Sequence, residues 1–307
     1  MKLNQIRNII AVAERGSLRS AARHLGVAQP AITKSIRELE GELGATLLER
    51  HSKGIVLTPM GAIFLQRAKV IQNEVQRASD EISQLKGEVH GKVTIGLSTA
   101  SHIALLPNAL VDFRQRYSET KMEIIESLFS SAEAALKNGT LDCYIGPLSE
   151  ESLTGELLAE KLFDNNRAIF CRKDHPLAAA LSLAELTSAD WIATSITVNP
   201  AEELGPIFAR YNLPEPTIAL QAHSALTMIA AAAYSDLLTM LPIQWTEFPW
   251  SNNLLQRIHI KERLVAPSMY IVRRANLPLT PAAEFFCDMV RRASEETQRK
   301  WRTPEAR

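Results

Sequence analysis

Gln29, Pro30, Thr33, Lys34 and Arg37 fall within the stretch "AQPAITKSIRELE". A helix over it sends Pro30, Lys34 and Arg37 to one side, flanked by Thr33, with Gln29 at the leading end. Cations there neutralise phosphates, and a leading amide reaches an adenine edge or a phosphate. The opposite side carries Ile32, Ile36, Leu39 and Leu43, a stripe for burial. Four downstream stretches offer different chemistry: Ser98-Thr99-Ala100-Ser101-His102, Ser130-Ser131, Ser195 to Pro200, and His223-Ser224. Hydroxyls beside helix N-terminal N–H groups suit a carboxylate or sulfonate, and Leu128, Phe129, Ile196 and Val198 could hold an apolar body. The same serines serve equally well as ordinary helix caps. His102 and His223 read either as ligand contacts or pH sensors, or as hydrogen-bonded wall residues.

The elements that must position the first set are short helices. Leu3, Ile6, Ile10 and Ala13 predict one that stops near Gly16, and Ser17 caps a second carrying Leu18, Ala21, Ala22 and Leu25. Gly26 closes the second helix, and only "GVA" separates it from the third. This is the layout of a helix-turn-helix with its third helix as reader, although an ordinary helical packing element has the same geometry. "LLERHSKGIVLT" then reads as two short strands turning at "SKG", a wing with Arg50, His51 and Lys53 near its tip for a neighbouring phosphate strand. Thr58-Pro59 opens a long helix. Phe64, Ala68, Ile71, Val75, Ala78, Ile82 and Leu85 keep alternating spacings of four and three along it, a heptad seam for a second copy or for the protein's own body.

Around the hydroxyl-rich loops, strands alternate with helices. Val93, Ile95 and Leu97 open a strand, "STASHIALLPNALVDFRQRY" reads as a helix, and "KMEIIESLF", "SSAEAALKNG" and "LDCYIG" continue strand, helix, strand. A second series follows, through "NRAIFCRKDHPL", a capping box at Ser182-x-x-Glu185, "PAEELGPIFARY", "TIALQA", "SALTMIAAAAY" and "DLLTMLP". "SMYIVRR" and the helix begun at Thr280-Pro281 return to the first series. Such alternation predicts two α/β subdomains, with the chain crossing between them near residues 162 to 165 and 264 to 267 and a cleft at the double crossover.

The 34 basic and 34 acidic side chains cancel, but not uniformly. Residues 1 to 92 hold 14 basic against 9 acidic, leaving 20 against 25 for the rest, so positive potential gathers where the reader lies. No apolar run approaches the roughly 20 residues of a membrane span, and no signal-peptide core opens the chain, so a cytoplasmic protein is expected. Cys143, Cys171 and Cys287 are scattered, which points to buried free thiols rather than disulfides or a metal site. No nucleophile elbow, phosphate-binding glycine loop, His-Glu-x-x-His or framed carboxylate pair appears, so neither enzyme nor cofactor is expected.

The run "AARHLGVAQPAITKSIRELEGELGATLLERHSKGIVLTPMG" resembles the winged helix-turn-helix of the LysR-type transcriptional regulators, and the likeness continues over nearly the whole chain. It implies a reader over 1–58, a dimerisation helix over 59–90 and an effector-binding domain over 91–307 resembling type 2 periplasmic binding proteins. Subdomain I would take 91–163 and 266–307, and subdomain II 164–265. Implied DNA contacts are Ser17, Arg19, Ala28, Gln29, Pro30, Ala31, Thr33, Lys34, Arg37, Arg50 and Lys53. Implied effector contacts are Ser98, Thr99, Ala100, Ser101, His102, Phe129, Ser130, Ser131, Gly146, Ser195, Thr197, Val198, Asn199, His223 and Ser224. The partners implied are double-stranded operator DNA, a small organic anion as inducer, and further copies in a homodimer or homotetramer. The chain departs from the family at Ala28, often serine, so any contact there falls to its backbone N–H. It departs again at Ser235-Asp236, where many members have a glycine-rich turn. "FARYNLPEP" and "NLPLTPAAEFF" resemble a branch sensing aromatic sulfonates and aromatic acids. Two rivals remain at this point: a solute-binding protein with no DNA role, and an α/β enzyme.

Overall fold

A computed structural model describes residues 1–51, 54–148, 153, 155–194, 201–222, 224–248 and 253–302. The chain divides into two compact units, Met1–Gly91 with Ala134–Leu141, and Lys92–Glu133 with Asp142–Arg307.

In the first unit, α1 (Leu3–Arg15), α2 (Leu18–Leu25) and α3 (Gln29–Leu43) close over Ile6, Ile9, Val12, Ala21, Ile32 and Leu39. The Ser17 hydroxyl accepts the Ser20 N–H at 3.1 Å, and Gly26, at φ 66°, takes the left-handed position that ends α2. A buried bond from Asn8 to the Ser35 hydroxyl (2.9 Å) fixes α1 against α3. Leu43, expected in the buried stripe, is 43% exposed, because the helix ends at Gly44 and nothing packs over its last turn. Strands β1 (Leu48–His51) and β2 (Gly54–Leu57) pair antiparallel. The Ile55 N–H donates to the Gly16 carbonyl, and Glu40 Oε1 accepts the Leu47 and Leu48 N–H groups. The wing is thereby tied to the ends of both α1 and α3.

Helix α4 (Pro59–Leu85) starts at the expected Thr58 cap, whose hydroxyl accepts the Gly61 N–H at 2.9 Å. The seam along it is not one continuous surface. Ala68 is buried in the reader's core, with Phe64 and Ile71 packed against it, so these positions are occupied within the chain. Val75, Ala78, Ile82 and Leu85 remain exposed. Arg77, one position before Ala78, donates instead to the Leu141 carbonyl at 2.9 Å, within the same unit.

The second unit is built on β3 (Lys92–Leu97), which pairs in parallel with β4 (Lys121–Glu126) and β5 (Cys143–Pro147). The stretch from Ser98 to Tyr117 forms two helices rather than one, α5 (Thr99–Ala104) and α6 (Leu106–Arg116). Pro107 in the first turn of α6 lacks the N–H that would carry the α5 ladder on to the Ile103 carbonyl, so a new helix starts there. Helix α7 (Phe129–Lys137) follows β4. Strand β6 (Leu157–Arg172) runs unbroken for 16 residues. Beyond it, β7 (Asp190–Thr194) leads to α8 (Ala201–Arg210), β8 (Thr217–Ala222), α9 (Ala225–Ala233) and β9 (Leu238–Pro242). Strand β7 pairs in parallel with both β8 and β9. A short strand that the pattern did not predict, β10 (Leu255–Ile258), flanks β6 antiparallel. Strand β11 (Val265–Arg274) lies antiparallel to β5 and β6, and α10 (Pro281–Arg302) closes the described chain.

Within β6, Leu157 to Asn166 pair with β11, while Arg167 to Phe170 pair with β9. The partner changes between Asn166 and Arg167, and β11 is irregular a little before that point, between Ala266 and Met269 opposite Asp164. Ser182 and Glu185 do not form the reciprocal box: the Ser182 hydroxyl donates to the Glu185 carboxylate at 2.7 Å over a single 3-10 turn. The three cysteines are free and buried, as their scatter led one to expect.

Candidate functional site

Two regions gather polar groups. In the first unit, Gln29, Pro30, Thr33, Lys34, Arg37 and Glu38 border one open groove along α3. All but Thr33 are exposed, while Ile32, Ile36 and Leu39 beneath them are buried. The Thr33 hydroxyl donates to the Gln29 carbonyl at 3.1 Å, and Lys34 sits 3.8 Å from Glu38 in an exposed pair that salt and competing phosphates would readily break. Ala28 occupies the N-cap position of α3 with no side-chain bond, so the first N–H groups of the helix lack a side-chain cap. Ala31 and Arg19 are exposed, and Ser17 is half-buried because its hydroxyl caps α2. The backbone of Arg50 lies in β1, whereas Lys53 lies outside the described residues.

In the second unit, a cavity of about 290 Å³ lies at the carboxyl ends of β3, β4, β7 and β8. Ser98, Thr99, Ala100, Ser131 and Ser224 of the predicted set line it. Several others are engaged elsewhere. The Ser101 hydroxyl is fully buried and donates to the Ile145 carbonyl at 2.7 Å, and His102 Nδ1 lies 2.9 Å from the Ser98 carbonyl one turn back. Phe129 is buried against the Tyr144 ring (5.8 Å between centroids), and Ser130 points to solvent. Gly146 is demanded by a neighbour: a Cβ there would lie 2.2 Å from Tyr144 Oη and 2.8 Å from Ser98 Cβ. Ser195, Thr197, Val198, Asn199 and His223, together with Ile196 and Pro200, lie outside the described residues.

The charged groups of the cavity come from positions that the sequence reading passed over. Arg167, just past the partner change in β6, donates from Nη1 to Glu203 Oε1 at 2.8 Å, and the two side chains are only 13% and 6% exposed. The other Glu203 oxygen accepts the Thr194 N–H at 2.8 Å and the Thr194 hydroxyl. Asn165, 4% exposed, accepts from Gln244 at 2.9 Å. Glu126, at the end of β4, accepts the Thr99 hydroxyl at 3.0 Å. Met228, Met240, Leu241, Pro242 and Trp245 supply an apolar wall. One signal was available: "DNNR" places four consecutive polar residues between the apolar pairs Leu162-Phe163 and Ala168-Ile169 of β6. Glu203 carries no such mark, since a glutamate in a first helical turn is unremarkable. Among the described residues no three metal-ligating side chains gather, and no helix is long and apolar enough to cross a membrane.

The profile of the bacterial regulatory helix-turn-helix protein, lysR family, matches residues 3–62, and that of the LysR substrate binding domain matches residues 86–295. The chain belongs to the LysR family of transcriptional regulators. This LysR-type regulator is 26% identical to the HTH-type transcriptional regulator TdcA of Escherichia coli strain K12 over 283 residues, covering 92% of this chain and 90% of that protein. It is 28% identical over 248 residues to HcaR, the Hca operon transcriptional activator of the same strain, covering 79% and 82%. Its fold matches that of CbnR, a LysR family transcriptional regulator, with a TM-score of 0.72 at 21% identity over 96% and 99% of the two chains. Full-length CbnR complexed with target DNA matches with a TM-score of 0.73 at 22% identity, over 95% and 100%. Those last two likenesses are of fold. The protein is accordingly a DNA-binding transcriptional regulator with an effector-binding domain, not an enzyme.

Two departures from the family pattern acquire physical content. Asp236 bonds Arg172 Nε at 2.7 Å while its carbonyl accepts from His175 Nε2 at 3.1 Å, so side chains hold the turn that glycines shape elsewhere. Neither Ser235 nor Asp236 borders the cavity. The stretches resembling an aromatic-sulfonate branch place Phe208 and Phe286 in the core at 0% exposure, where they serve packing and meet no ligand.

Proposed function

We propose that this LysR-type regulator holds a two-fold symmetric operator with two copies of α3, and that a small organic acid in the cavity shifts the assembly between DNA-bending states. Residues 1–58 act as reader, 59–90 as dimerisation helix and 91–307 as sensor, with subdomains 91–163 plus 266–307 and 164–265 closing on the ligand. Lys34 and Arg37 contact phosphates or base edges, Gln29 reads at the helix entry, and Ser17, Arg19, Ala28, Pro30, Ala31, Thr33, Arg50 and Lys53 fix register on the duplex. The observation supporting this most directly is α3 itself, with an exposed polar face over buried Ile32, Ile36 and Leu39. The functional form is a dimer, or a tetramer of two dimers, acting in the cytoplasm. The ligand moves the equilibrium by binding one arrangement of the subdomains more tightly than the other.

Substituting Lys34 or Arg37 by alanine is expected to cost about 1–3 kcal/mol of operator affinity for a base contact, or to lower the salt slope by about one for a phosphate contact. Effector binding stays unchanged in either variant. Gel shifts at several salt concentrations read both quantities, and unaltered affinity and slope would remove α3 as the reader.

A further inference from the structure

We propose that the cavity takes a zwitterion of the α-amino acid class, bearing an ammonium group as well as a carboxylate on an apolar body. This rests on the cavity being the effector site and narrows the acid proposed above. Among the described residues lining it, the ionisable side chains are Arg167, Glu203 and Glu126, a formal surplus of one negative charge. Glu203 is fully engaged, one oxygen by Arg167 and the other by the Thr194 N–H and hydroxyl. Arg167 gives one N–H to that pair, and its remaining guanidinium donors have no acceptor among the described residues. They suit a ligand carboxylate. Glu126 is the opposite case: its carboxylate accepts only the Thr99 hydroxyl, and no cation of the described chain pairs with it. Glu126 is exposed and solvated at the cavity's rim, so a simple acid would bring its carboxylate towards a standing negative charge without engaging it. A ligand ammonium answers it.

The placement also gives the two charged ends separate work. Glu126 ends β4 beside β3, whereas Arg167 and Glu203 stand on β6 past its change of partner and on α8. A molecule held at both ends ties those two parts of the sheet together, and Met228, Met240 and Trp245 receive its side chain. At about 290 Å³ the cavity sits at the small end of ligand pockets, roughly 300–1,000 Å³, and suits one amino-acid-sized molecule.

The test titrates the full-length chain by calorimetry with two matched sets. One is L-leucine, 4-methylpentanoate and 3-methylbutylamine; the other is L-phenylalanine, 3-phenylpropanoate and 2-phenylethylamine. In at least one set the amino acid is expected to bind tenfold or more tighter than its acid and its amine. Glu126→Gln removes that advantage over the acid, while the melting temperature of the unliganded variant stays near that of the parent. If the acid binds as tightly as the amino acid, if neither amino acid binds, or if Glu126→Gln leaves the advantage intact, the zwitterion proposal is overturned. Acid binding that Trp245→Ala abolishes would overturn it while leaving the cavity as the effector site. Binding that survives both Glu126→Gln and the paired Arg167→Gln/Glu203→Gln exchange would overturn the cavity reading as well.

Discussion

Single residues here are often fixed by a neighbour rather than by a ligand. Gly146 is an effector contact only by the family resemblance, and the atoms that exclude a side chain there are Tyr144 Oη at 2.2 Å and Ser98 Cβ at 2.8 Å. Gly146→Ala is expected to cost about 1–3 kcal/mol through overpacking. Urea denaturation should show a lowered midpoint with an unchanged slope, and an unmoved midpoint would refute the packing argument. The cysteines illustrate burial in the same way. Burial pushes the Cys171 thiol up to about 11, and the Cys287 thiol beside it, followed by burial, holds Cys143 well above the ordinary range. The thiolate is the reactive form, so a thiol reagent such as DTNB at pH 8 is expected to label no cysteine in the folded chain and all three in urea. Rapid labelling without denaturant would contradict their placement.

Elements show most clearly what could be read from the chain. Helices α1 to α3 were legible because their apolar spacing is undisturbed and each boundary carries a local sign: Ser17, Gly26, Pro30. Of the hydroxyl loops, Ser98 was legible as the cap of α5, whereas Ser195 to Pro200 and His223 lie outside the described residues. Arg167 and Glu203 were not legible, because their role depends on which strand β6 adopts as neighbour, a non-local choice. The heptad seam misled over half its length: periodicity specifies an apolar stripe but not what covers it. Phe64, Ala68 and Ile71 turned out to face the reader's own core, whereas Ile82 and Leu85 stand 56% and 73% exposed. The expected outcome of Ile82→Glu with Leu85→Glu is therefore a folded protein shifted towards monomer in sedimentation. Ala68→Glu instead unfolds the reader by burying an unpaired charge. A double variant that sediments like the parent would assign dimerisation to another surface.

For the molecule as a whole, the neutral total of 34 basic and 34 acidic side chains conceals a basic reader coupled to an acidic sensor. With the net charge near zero, non-specific attraction is expected to add little, and the proposed reading by α3 then carries operator choice. The sensor half carries a further consequence in β6. Its 16 residues link β11 along one stretch to β9 and β10 along the next in one continuous sheet, and β11 itself bridges β6 and β5. The strands on either side of β6 therefore share it, and removing or melting one side strips the other of a strand. The effector-binding domain should lose structure in one calorimetric transition, with no plateau belonging to a half-molten species. If the proposed subdomains move against each other, β6 is expected to take up the motion as twist along a shared strand whose hydrogen bonds stay closed.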